Sequence, residues 1–201
     1  MFRLVRNVLV VAVLAALVAG GLVVCTSPDP LYSLHEILAF PRYHEYDDLI
    51  RQTGQKYGVD PMLIKAVIWR ESAFRADMVG RNGERGLMQI MDAAANDWDR
   101  QTKHPTFVPT DLFSPQVNIE AGTWYLKKAL QRYATKDDPN TFALAEYNAG
   151  KSRVDKWVGD TNQGASVTAG DLRESISFPG TRGYVDAILD RYRFYQRQGH
   201  L

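Results

Sequence analysis

The chain has few of the residues that form disulfides or hold metal ions. Cys25 is its single cysteine among 201 residues, so no second cysteine exists for an internal disulfide. The four histidines, at positions 35, 44, 104 and 200, lack the paired spacing that is typical of zinc ligands. We therefore expect no disulfide, no metal site and no other cofactor.

The chain also lacks an excess of charge of either sign. Its net charge is +1, and the basic residues are scattered among acidic ones rather than clustered. Nucleic-acid-binding domains usually carry a basic patch or stripe, so we expect no DNA or RNA partner. A phosphate-binding loop is missing as well, since Gly80, Gly83 and Gly86 are not followed by lysine and then serine or threonine.

One long hydrophobic run is present, and it lies at the N-terminus. Arg3 and Arg6 precede seventeen consecutive apolar residues at 8–24. As a helix, this run would be about 25 Å long, which is close to the lower limit for crossing a bilayer. The positive flank would hold the start of the chain on the cytoplasmic side, so the remainder would be exported.

Three fates are compatible with the segment at 1–25. We expect first an uncleaved anchor, second a lipoprotein signal with Cys25 acylated, and third a signal peptide cleaved near 19–21. The lipoprotein reading is weakened by Val24, because a small residue usually precedes the acylated cysteine. A buried core helix is disfavoured, since the run is apolar on every side.

The bulk composition predicts one folded domain behind this segment. Hydrophobic residues make up 45% of the chain and charged residues 23%, which is typical of a globular protein. The stretch at 26–42 contains Pro28, Pro30 and Pro41 and is interpreted as a tether. The folded domain is therefore expected at 43–201.

The domain is predicted to be mostly α. Hydrophobic periodicity and turn residues indicate helices at 43–57, 61–72, 86–99, 115–134, 139–148, 150–158, 168–176 and 181–197. An N-cap followed by a first-turn proline occurs at Asp60, Ser114 and Asp138. No stretch alternates with period two for long, so any strand should be short.

One charged residue interrupts the apolar stripe of the helix at 61–72. Steps of three and four residues lead from Ile64 through Ile68 to Glu71, so a carboxylate is predicted to point inward. An ordinary surface ion pair with Arg70 or Arg75 is the alternative for this helix taken alone.

Two other segments carry polar side chains in apolar surroundings. Gln89 lies within NGERGLMQIM at 82–91 and is either a surface residue or an amide that binds a ligand. Tyr147 and Asn148 precede Gly150 at a helix end; a tyrosine and an amide suit a sugar, although Asn148 also suits a helix C-cap.

Taken together and in order, these segments resemble a known family. ESAF at 71–74, GLMQI at 86–90 and EYNAG at 146–150 resemble the soluble lytic transglycosylases, murein-cleaving enzymes with a lysozyme-like fold. The resemblance continues through NIEAGTWYL at 118–126 and PGTRGYV at 179–185, and it covers roughly 45–196. It implies a mostly α, lysozyme-like single domain behind the N-terminal helix.

The resemblance also implies which residues form the site. Glu71 takes the position of the catalytic acid, and burial in an apolar groove would raise its pKa. The substrate-binding positions that it implies are Met88, Gln89, Glu146, Tyr147, Asn148 and Tyr184.

The implied reaction cleaves the bond between N-acetylmuramic acid and N-acetylglucosamine in peptidoglycan without water, forming 1,6-anhydro ends. Glu71 would act first as acid and then as base. Two alternatives remain: a two-carboxylate hydrolase, with Glu146 about 5 to 9 Å from Glu71, and a glycan-binding wall scaffold without activity. We expect a monomer in a bacterial envelope, anchored in the membrane with its catalytic domain in the periplasm.

Two residues depart from the family's pattern. Gly80 stands where relatives often have a small polar residue that can hydrogen-bond the glutamate, so a backbone amide, a water or Tyr147 is expected to orient Glu71 instead. Asp92 stands where relatives often have proline, and this change is expected to affect a turn rather than the chemistry.

Overall fold

The structure is a computed structural model that describes residues 2–26, 40–102, 107–161, 166–199 and 201. The chain divides into two compact units, Met1–Glu45 and Tyr46–Leu201. The first unit contains helix α1, Phe2–Thr26, and the short helix α2, Phe40–His44. Most of the predicted tether at 26–42 lies outside the described residues.

Helix α1 is long and apolar enough to cross a membrane. The window Val5–Leu22 has a mean hydropathy of 2.2 over 18 residues. A cleaved signal sequence near the N-terminus passes the same test, so length and composition do not separate the anchor from the signal peptide.

The second unit is built from helices. They are α3 Asp47–Tyr57, α4 Pro61–Ser72, α5 Asp92–Thr102, a 3₁₀ turn Pro109–Phe113, α6 Pro115–Arg132, α7 Pro139–Ala149, α8 Lys151–Asp160, α9 Ala169–Ser175 and α10 Pro179–Gln198. The predicted helices at 61–72 and from 115 onward are confirmed, with ends that differ by no more than two residues. The helix predicted at 43–57 begins later, at Asp47.

All three predicted N-cap positions are confirmed, and two of them have a side-chain cap hydrogen bond. The side chains of Asp60 and Asp138 each accept a hydrogen bond from the backbone N–H two residues on, and each is followed by a first-turn proline. Ser114 also takes the N-cap position before a first-turn proline, as predicted, but its side chain forms no cap hydrogen bond. Ser114 also ends the preceding 3₁₀ turn, where its backbone N–H donates to the carbonyl of Asp111 at 2.9 Å.

The helix predicted at 86–99 is wrong in its first turns. Gly86 and Gln89 have φ angles of +75° and +49°, in the left-handed region that cannot continue a right-handed helix. The helix begins only at Asp92. Apolar spacing alone suggested a helix over the turn at 86–91, where the backbone in fact reverses direction.

Isolated β-bridges organise this turn. Arg85 forms one antiparallel bridge with Val79 and another with Ile90. Within the described ranges these bridges are the only extended pairing, which agrees with the prediction that any strand is short. The turn from 79 to 90 is therefore held by backbone hydrogen bonds.

Helix α4 lies at the centre of the packing. It contacts α10 and α3, while α7 contacts α6, α8 and α10. All residues from Leu63 to Ile68 are buried, so α4 is enclosed on every side through its middle turns. The buried charge of Lys65 is paired with Asp47 at 2.6 Å, as a buried charge requires. Burying each large aliphatic side chain contributes about 1.5–3 kcal/mol, so this core fixes the position of both ends of α4.

Candidate active site

Glu71 lies in the last turn of α4, immediately before the chain changes direction. Ala73 and Phe74, which follow it, have φ angles of +49° and +62°, which is uncommon for residues other than glycine. Phe74 is 1% exposed, so burial of its ring holds the backbone in this conformation. Such a conformation costs on the order of 1–3 kcal/mol per residue and is found preferentially at functional sites.

Ser72 connects the end of α4 to the turn at 86–90. Its buried hydroxyl donates to the carbonyl of Leu87 at 2.8 Å. Leu87 is fully buried. The motifs ESAF and GLMQI are therefore joined directly, through a serine hydroxyl and a backbone carbonyl.

Glu71 is partly buried and is held by a tyrosine from the last helix. The hydroxyl of Tyr184 donates to Oε1 of Glu71 at 2.6 Å. Burial raises the pKa of Glu71 to about 7, and it outweighs the hydrogen bond from Tyr184 and the charge of Arg70, which both lower the pKa. Glu71 therefore retains its proton up to about neutral pH.

The residue that orients Glu71 was not among the expected candidates. Tyr184 supplies the hydrogen bond, whereas the hydroxyl of Tyr147 donates to the backbone carbonyl of Met88 at 3.0 Å. Tyr147 still lies near Glu71, since the charge of Glu71 raises the pKa of the Tyr147 hydroxyl, after the larger effect of burial. Of the predicted set, Glu71, Tyr147 and Tyr184 are brought together here.

Gln89 lies on the same turn, in its left-handed conformation. Its amide nitrogen donates to the backbone carbonyls of Gly86 at 2.8 Å and Met78 at 3.2 Å. Both amide protons are therefore used within the protein. Only the amide oxygen of Gln89 remains to accept a hydrogen bond from a ligand.

The side chain of Met88 packs inside the protein, against Gly122 of α6. Its side chain is fully buried, and its sulfur and carbon atoms occupy the space beside Gly122 that a Cβ would need. Met88 was predicted to bind substrate; its side chain has no exposed surface in this structure, and its role in binding stays a prediction. Its backbone carbonyl instead positions Tyr147.

A cleft is lined by the end of this turn and by side chains from α5, α6 and α7. Tyr125 and Tyr147 meet edge to face, with ring centroids 5.9 Å apart. Together with Gln89 and Asp97 they line a cavity of about 250 Å³. Aromatic rings beside amide and carboxylate oxygens are suited to a sugar, which presents an apolar face and a rim of hydroxyl groups.

Asn148 and Glu146 are held by neighbouring side chains. Oδ1 of the exposed Asn148 accepts from the hydroxyl of Thr181 at 2.8 Å, which links the end of α7 to α10. Glu146 is 4% exposed; one carboxylate oxygen pairs with Arg132 and the other accepts from Tyr133 at 2.8 Å. Both oxygens of Glu146 are thus engaged inside the protein, and its predicted role in substrate binding stays a prediction.

Asn118 is a supporting residue whose role the sequence did not reveal. It is fully buried; Oδ1 accepts from the backbone N–H of Met88 at 2.7 Å, and Nδ2 donates to the carbonyls of Arg85 and Leu112 at 2.7 and 2.8 Å. Glycine is required at 86 because a Cβ there would collide with the Asn118 amide. The sequence did contain one sign of this role, an amide among the apolar positions of α6.

Asp92, the second departure from the family's pattern, forms an ion pair with Arg85. It is the first residue of α5, where a negative charge is favourable next to the helix N-terminus. The expectation that Asp92 affects a turn agrees with this position.

Helical packing and this cleft together define a protein of the lysozyme-like class, with one partly buried glutamate beside aromatic side chains. The chain belongs to the family described as the transglycosylase SLT domain, whose model matches residues 48–168.

Curated relatives agree with this assignment. The soluble lytic murein transglycosylase of Salmonella typhimurium is 33% identical over 152 residues, covering 75% of this chain and 23% of the relative. Membrane-bound lytic murein transglycosylase C of Shigella sonnei is 33% identical over 172 residues, covering 78% of this chain and 48% of the relative. The chain thus spans about a quarter of the length of the first relative and about half of the second.

Solved structures of similar fold are also lytic transglycosylases. The 70 kDa soluble enzyme of Escherichia coli superposes with a TM-score of 0.70 at 28% identity, over 84% of this chain and 28% of that one. An inactive mutant of the enzyme Slt from Pseudomonas aeruginosa gives a TM-score of 0.68 at 29% identity, over 78% and 25%. The predicted lysozyme-like, mostly α fold is confirmed.

Proposed function

We propose that this chain is a lytic transglycosylase that cleaves the β-1,4 bond between N-acetylmuramic acid and N-acetylglucosamine in peptidoglycan. The observation that carries the proposal is the environment of Glu71, a partly buried carboxyl group held by Tyr184 beside an aromatic cleft. The family, and relatives named as lytic murein transglycosylases, support the same substrate.

In the first step, Glu71 acts as a general acid. With its pKa raised to about 7, a large share of Glu71 carries a proton at neutral pH. Transfer of that proton to the glycosidic oxygen lets the N-acetylglucosamine side leave as an alcohol while positive charge develops at C1 of the muramyl sugar. The N-acetyl group of that sugar can share this charge.

In the second step, the same residue acts as a base. The Glu71 carboxylate takes the proton of the muramyl 6-hydroxyl group, and that oxygen forms a bond to C1. The product is a 1,6-anhydro sugar, and Glu71 regains its proton without consuming water. Tyr184 supports this step, because its hydroxyl stabilises the carboxylate between the two proton transfers.

The two-carboxylate hydrolase is the less favoured candidate. It needs a second carboxylate that is free to act as nucleophile or to activate water. Glu146, which the sequence offered for this role, has both oxygens engaged by Arg132 and Tyr133. A glycan-binding scaffold without activity is also less favoured, since it would leave the raised pKa of Glu71 without a use.

Product analysis tests the proposed reaction directly. Purified protein is incubated with isolated cell wall, and the soluble products are weighed by mass spectrometry. We expect anhydromuropeptides. Products with reducing muramyl ends would favour the hydrolase, and glycan binding without release of fragments would favour the scaffold.

The pH dependence of the reaction gives a second prediction. Because the acid form of Glu71 starts the reaction, kcat/KM should be level below about pH 6 and should fall as pH rises through about 7, by tenfold per unit once most of Glu71 is ionised. The measurement is initial rates on soluble glycan fragments across pH 5 to 9. A profile with no decline above pH 7 would contradict the assignment of Glu71 as the acid.

We also propose that α1 holds the enzyme on the outer side of the bacterial cytoplasmic membrane, facing the wall. The relative from Shigella sonnei is named as membrane-bound, and α1 has the length and apolarity of a membrane span. Full-length protein should remain in the membrane fraction, and Cys25→Ser should remain there too if α1 is the anchor. Loss of the serine variant from that fraction would favour acylation, and a shortened soluble product would favour cleavage.

A further inference from the structure

The residue before Glu71 stacks on the tyrosine that holds Glu71. Arg70 is exposed in the last turn of α4, and the Cζ of its guanidinium group lies 5.8 Å from the centroid of the Tyr184 ring. At this distance a guanidinium group is attracted to the ring by a cation–π interaction. Tyr184 itself is 3% exposed, and its hydroxyl donates to Oε1 of Glu71 at 2.6 Å. Two consecutive residues of α4 therefore contact one tyrosine of α10, one at its ring and the other at its hydroxyl.

Arg70 contacts the site through this ring and not through an ion pair. Among the residues that the structure describes, Arg70 and Glu71 do not pair, because consecutive residues of a helix point in different directions. Arg75, the other partner that the sequence suggested, donates to a backbone carbonyl and a methionine sulfur instead. The carboxyl group of Glu71 is therefore held by the Tyr184 hydroxyl, and Arg70 contacts the ring that carries this hydroxyl.

The groups around Glu71 act on it in opposite directions. Burial raises the pKa of Glu71 most strongly, while the hydrogen bond from Tyr184 and the charge of Arg70 lower it. The smaller effect of Glu84, on the turn, is to raise it. Tyr147 of α7 also lies near Glu71 but is uncharged at neutral pH, because burial raises the pKa of its hydroxyl. Among these groups Arg70 carries the positive charge, so it favours the carboxylate form of Glu71.

This preference matters because Glu71 becomes a carboxylate between the two proton transfers of the proposed reaction. Burial raises the pKa of the Tyr184 hydroxyl and the charge of Arg70 lowers it, which makes the hydroxyl a better donor to that carboxylate. An interaction raises the rate only if it strengthens as the reaction proceeds. Arg70 meets this condition, since its charge stabilises Glu71 once the proton has left.

We propose that Arg70 is a positioning residue of this site: stacked on Tyr184, its guanidinium group holds the tyrosine hydroxyl on Glu71 and stabilises the carboxylate form of that residue. Arg70 touches no reacting atom in this role. The consequence for catalysis rests on the proposed function, whereas the effect on Glu71 itself can be measured without any reaction.

The direct test is a titration of Glu71 by ¹³C NMR in the full-length chain in detergent micelles, with glutamate carboxyl carbons labelled and the Glu71 signal assigned by its loss in Glu71→Gln. Arg70→Met keeps much of the apolar stem and removes the guanidinium group. We expect the Glu71 midpoint to rise in this variant, since a favourable charge is lost. Arg193→Met, which removes an exposed arginine that pairs with Asp190 on α10, is the matched control and should leave the midpoint in place. A midpoint that is unchanged or lower in Arg70→Met would overturn the proposal.

A double-mutant cycle tests whether Arg70 acts through Tyr184. Tyr184→Phe retains the ring on which Arg70 stacks and removes only the hydroxyl. If the guanidinium group holds that hydroxyl on Glu71, the rise in the midpoint caused by Arg70→Met should be smaller in the Tyr184→Phe background. An equal rise in both backgrounds would mean that Arg70 acts by its charge alone, and it would overturn the role of Arg70 in positioning Tyr184.

Rates provide the third readout. In Arg70→Met, kcat/KM on soluble glycan fragments at pH 5.5 should fall by about fivefold, through kcat and not KM, which is the size expected for loss of an exposed cation–π contact. The deficit should narrow towards pH 8, because the raised midpoint keeps more of Glu71 protonated there. A loss that is equal or larger at pH 8 would indicate a merely structural role and would overturn the proposal. If the parent cleaves no glycan but the midpoint moves as expected, the proposed function fails and the role of Arg70 stands.

Discussion

Replacing Glu71 by glutamine should abolish glycan cleavage, with a fall in kcat of about 10³-fold or more. Glutamine has nearly the same shape and accepts the hydrogen bond of Tyr184, but it can neither give nor take the proton that both steps need. Binding of glycan fragments should persist, because the aromatic cleft formed by Tyr125 and Tyr147 is unchanged. The measurements are release of soluble muropeptides and a binding isotherm with an uncleaved oligosaccharide.

Glu146→Gln is the matched control, since it makes the same chemical change at the other glutamate in question. It should keep its cleavage activity while losing stability, because the ion pair with Arg132 is weakened in a buried place. Cleavage retained in Glu71→Gln and lost in Glu146→Gln would contradict the assignment of Glu71 as the catalytic acid.

For Glu71→Gln we also expect a pH-dependent change in the free energy of unfolding. The folded state raises the pKa of Glu71 above its ordinary value of 4.5, to about 7, so the folded protein binds this proton more tightly than the unfolded chain. Stability is therefore lost as pH rises from about 4.5 to about 7, and the cost at pH 8 is up to about 3 kcal/mol. Glutamine avoids this cost, so the variant should have a higher Tm than its parent at pH 8 and a similar Tm at pH 4.

Local signals made most of the helices predictable. Asp60 and Asp138 each combine a capping side chain with a first-turn proline, and both begin helices where the sequence placed them. Gly58 ends α3 in the left-handed conformation. Such signals involve neighbours within four residues, so a short stretch of the sequence contains both the signal and the group with which it interacts.

The turn at 86–91 could not be predicted in the same way. Its conformation depends on the Asn118 amide, more than twenty-five residues away, which takes the backbone groups that a helix would otherwise use. The spacing of Leu87, Met88 and Ile90 suggested the buried face of a helix. These residues are indeed buried, but they lie on a turn held by β-bridges. The burial of these side chains was predicted correctly, but the backbone conformation of the segment was not.

The site itself was only partly predictable. Glu71 was indicated by its place on an apolar stripe, and the ordered motifs pointed to Tyr147 and Tyr184. The hydrogen-bond partner of each side chain could not be predicted, since the contact between Glu71 and Tyr184 joins residues 113 positions apart. The ion pair of Glu146 with Arg132 likewise depends on how α6 and α7 pack, so the sequence left Glu146 open as a second carboxylate.

Replacing Asn118 by alanine should destabilise the domain by about 3 kcal/mol. The change removes three buried hydrogen bonds, worth about 1 kcal/mol each, and leaves the N–H of Met88 and the carbonyls of Arg85 and Leu112 without this partner. Chemical unfolding followed by circular dichroism measures the loss. Gln116→Ala, an exposed amide one half-turn earlier on α6, should change stability by no more than about 0.5 kcal/mol.

Asn118→Asp separates the hydrogen bonds from the space that the side chain fills. Aspartate keeps the volume and the acceptor for Met88, but it presents an oxygen to the two carbonyls that now receive the amide protons. It should therefore be at least as destabilising as alanine at neutral pH, where a buried carboxylate is also costly. Because the same amide holds the turn that carries Gln89 and positions Tyr147 through Met88, the folded fraction of either variant should cleave glycan more slowly, by about tenfold. Normal activity per folded molecule would mean that the cleft keeps its shape without Asn118, and that the residue serves stability alone.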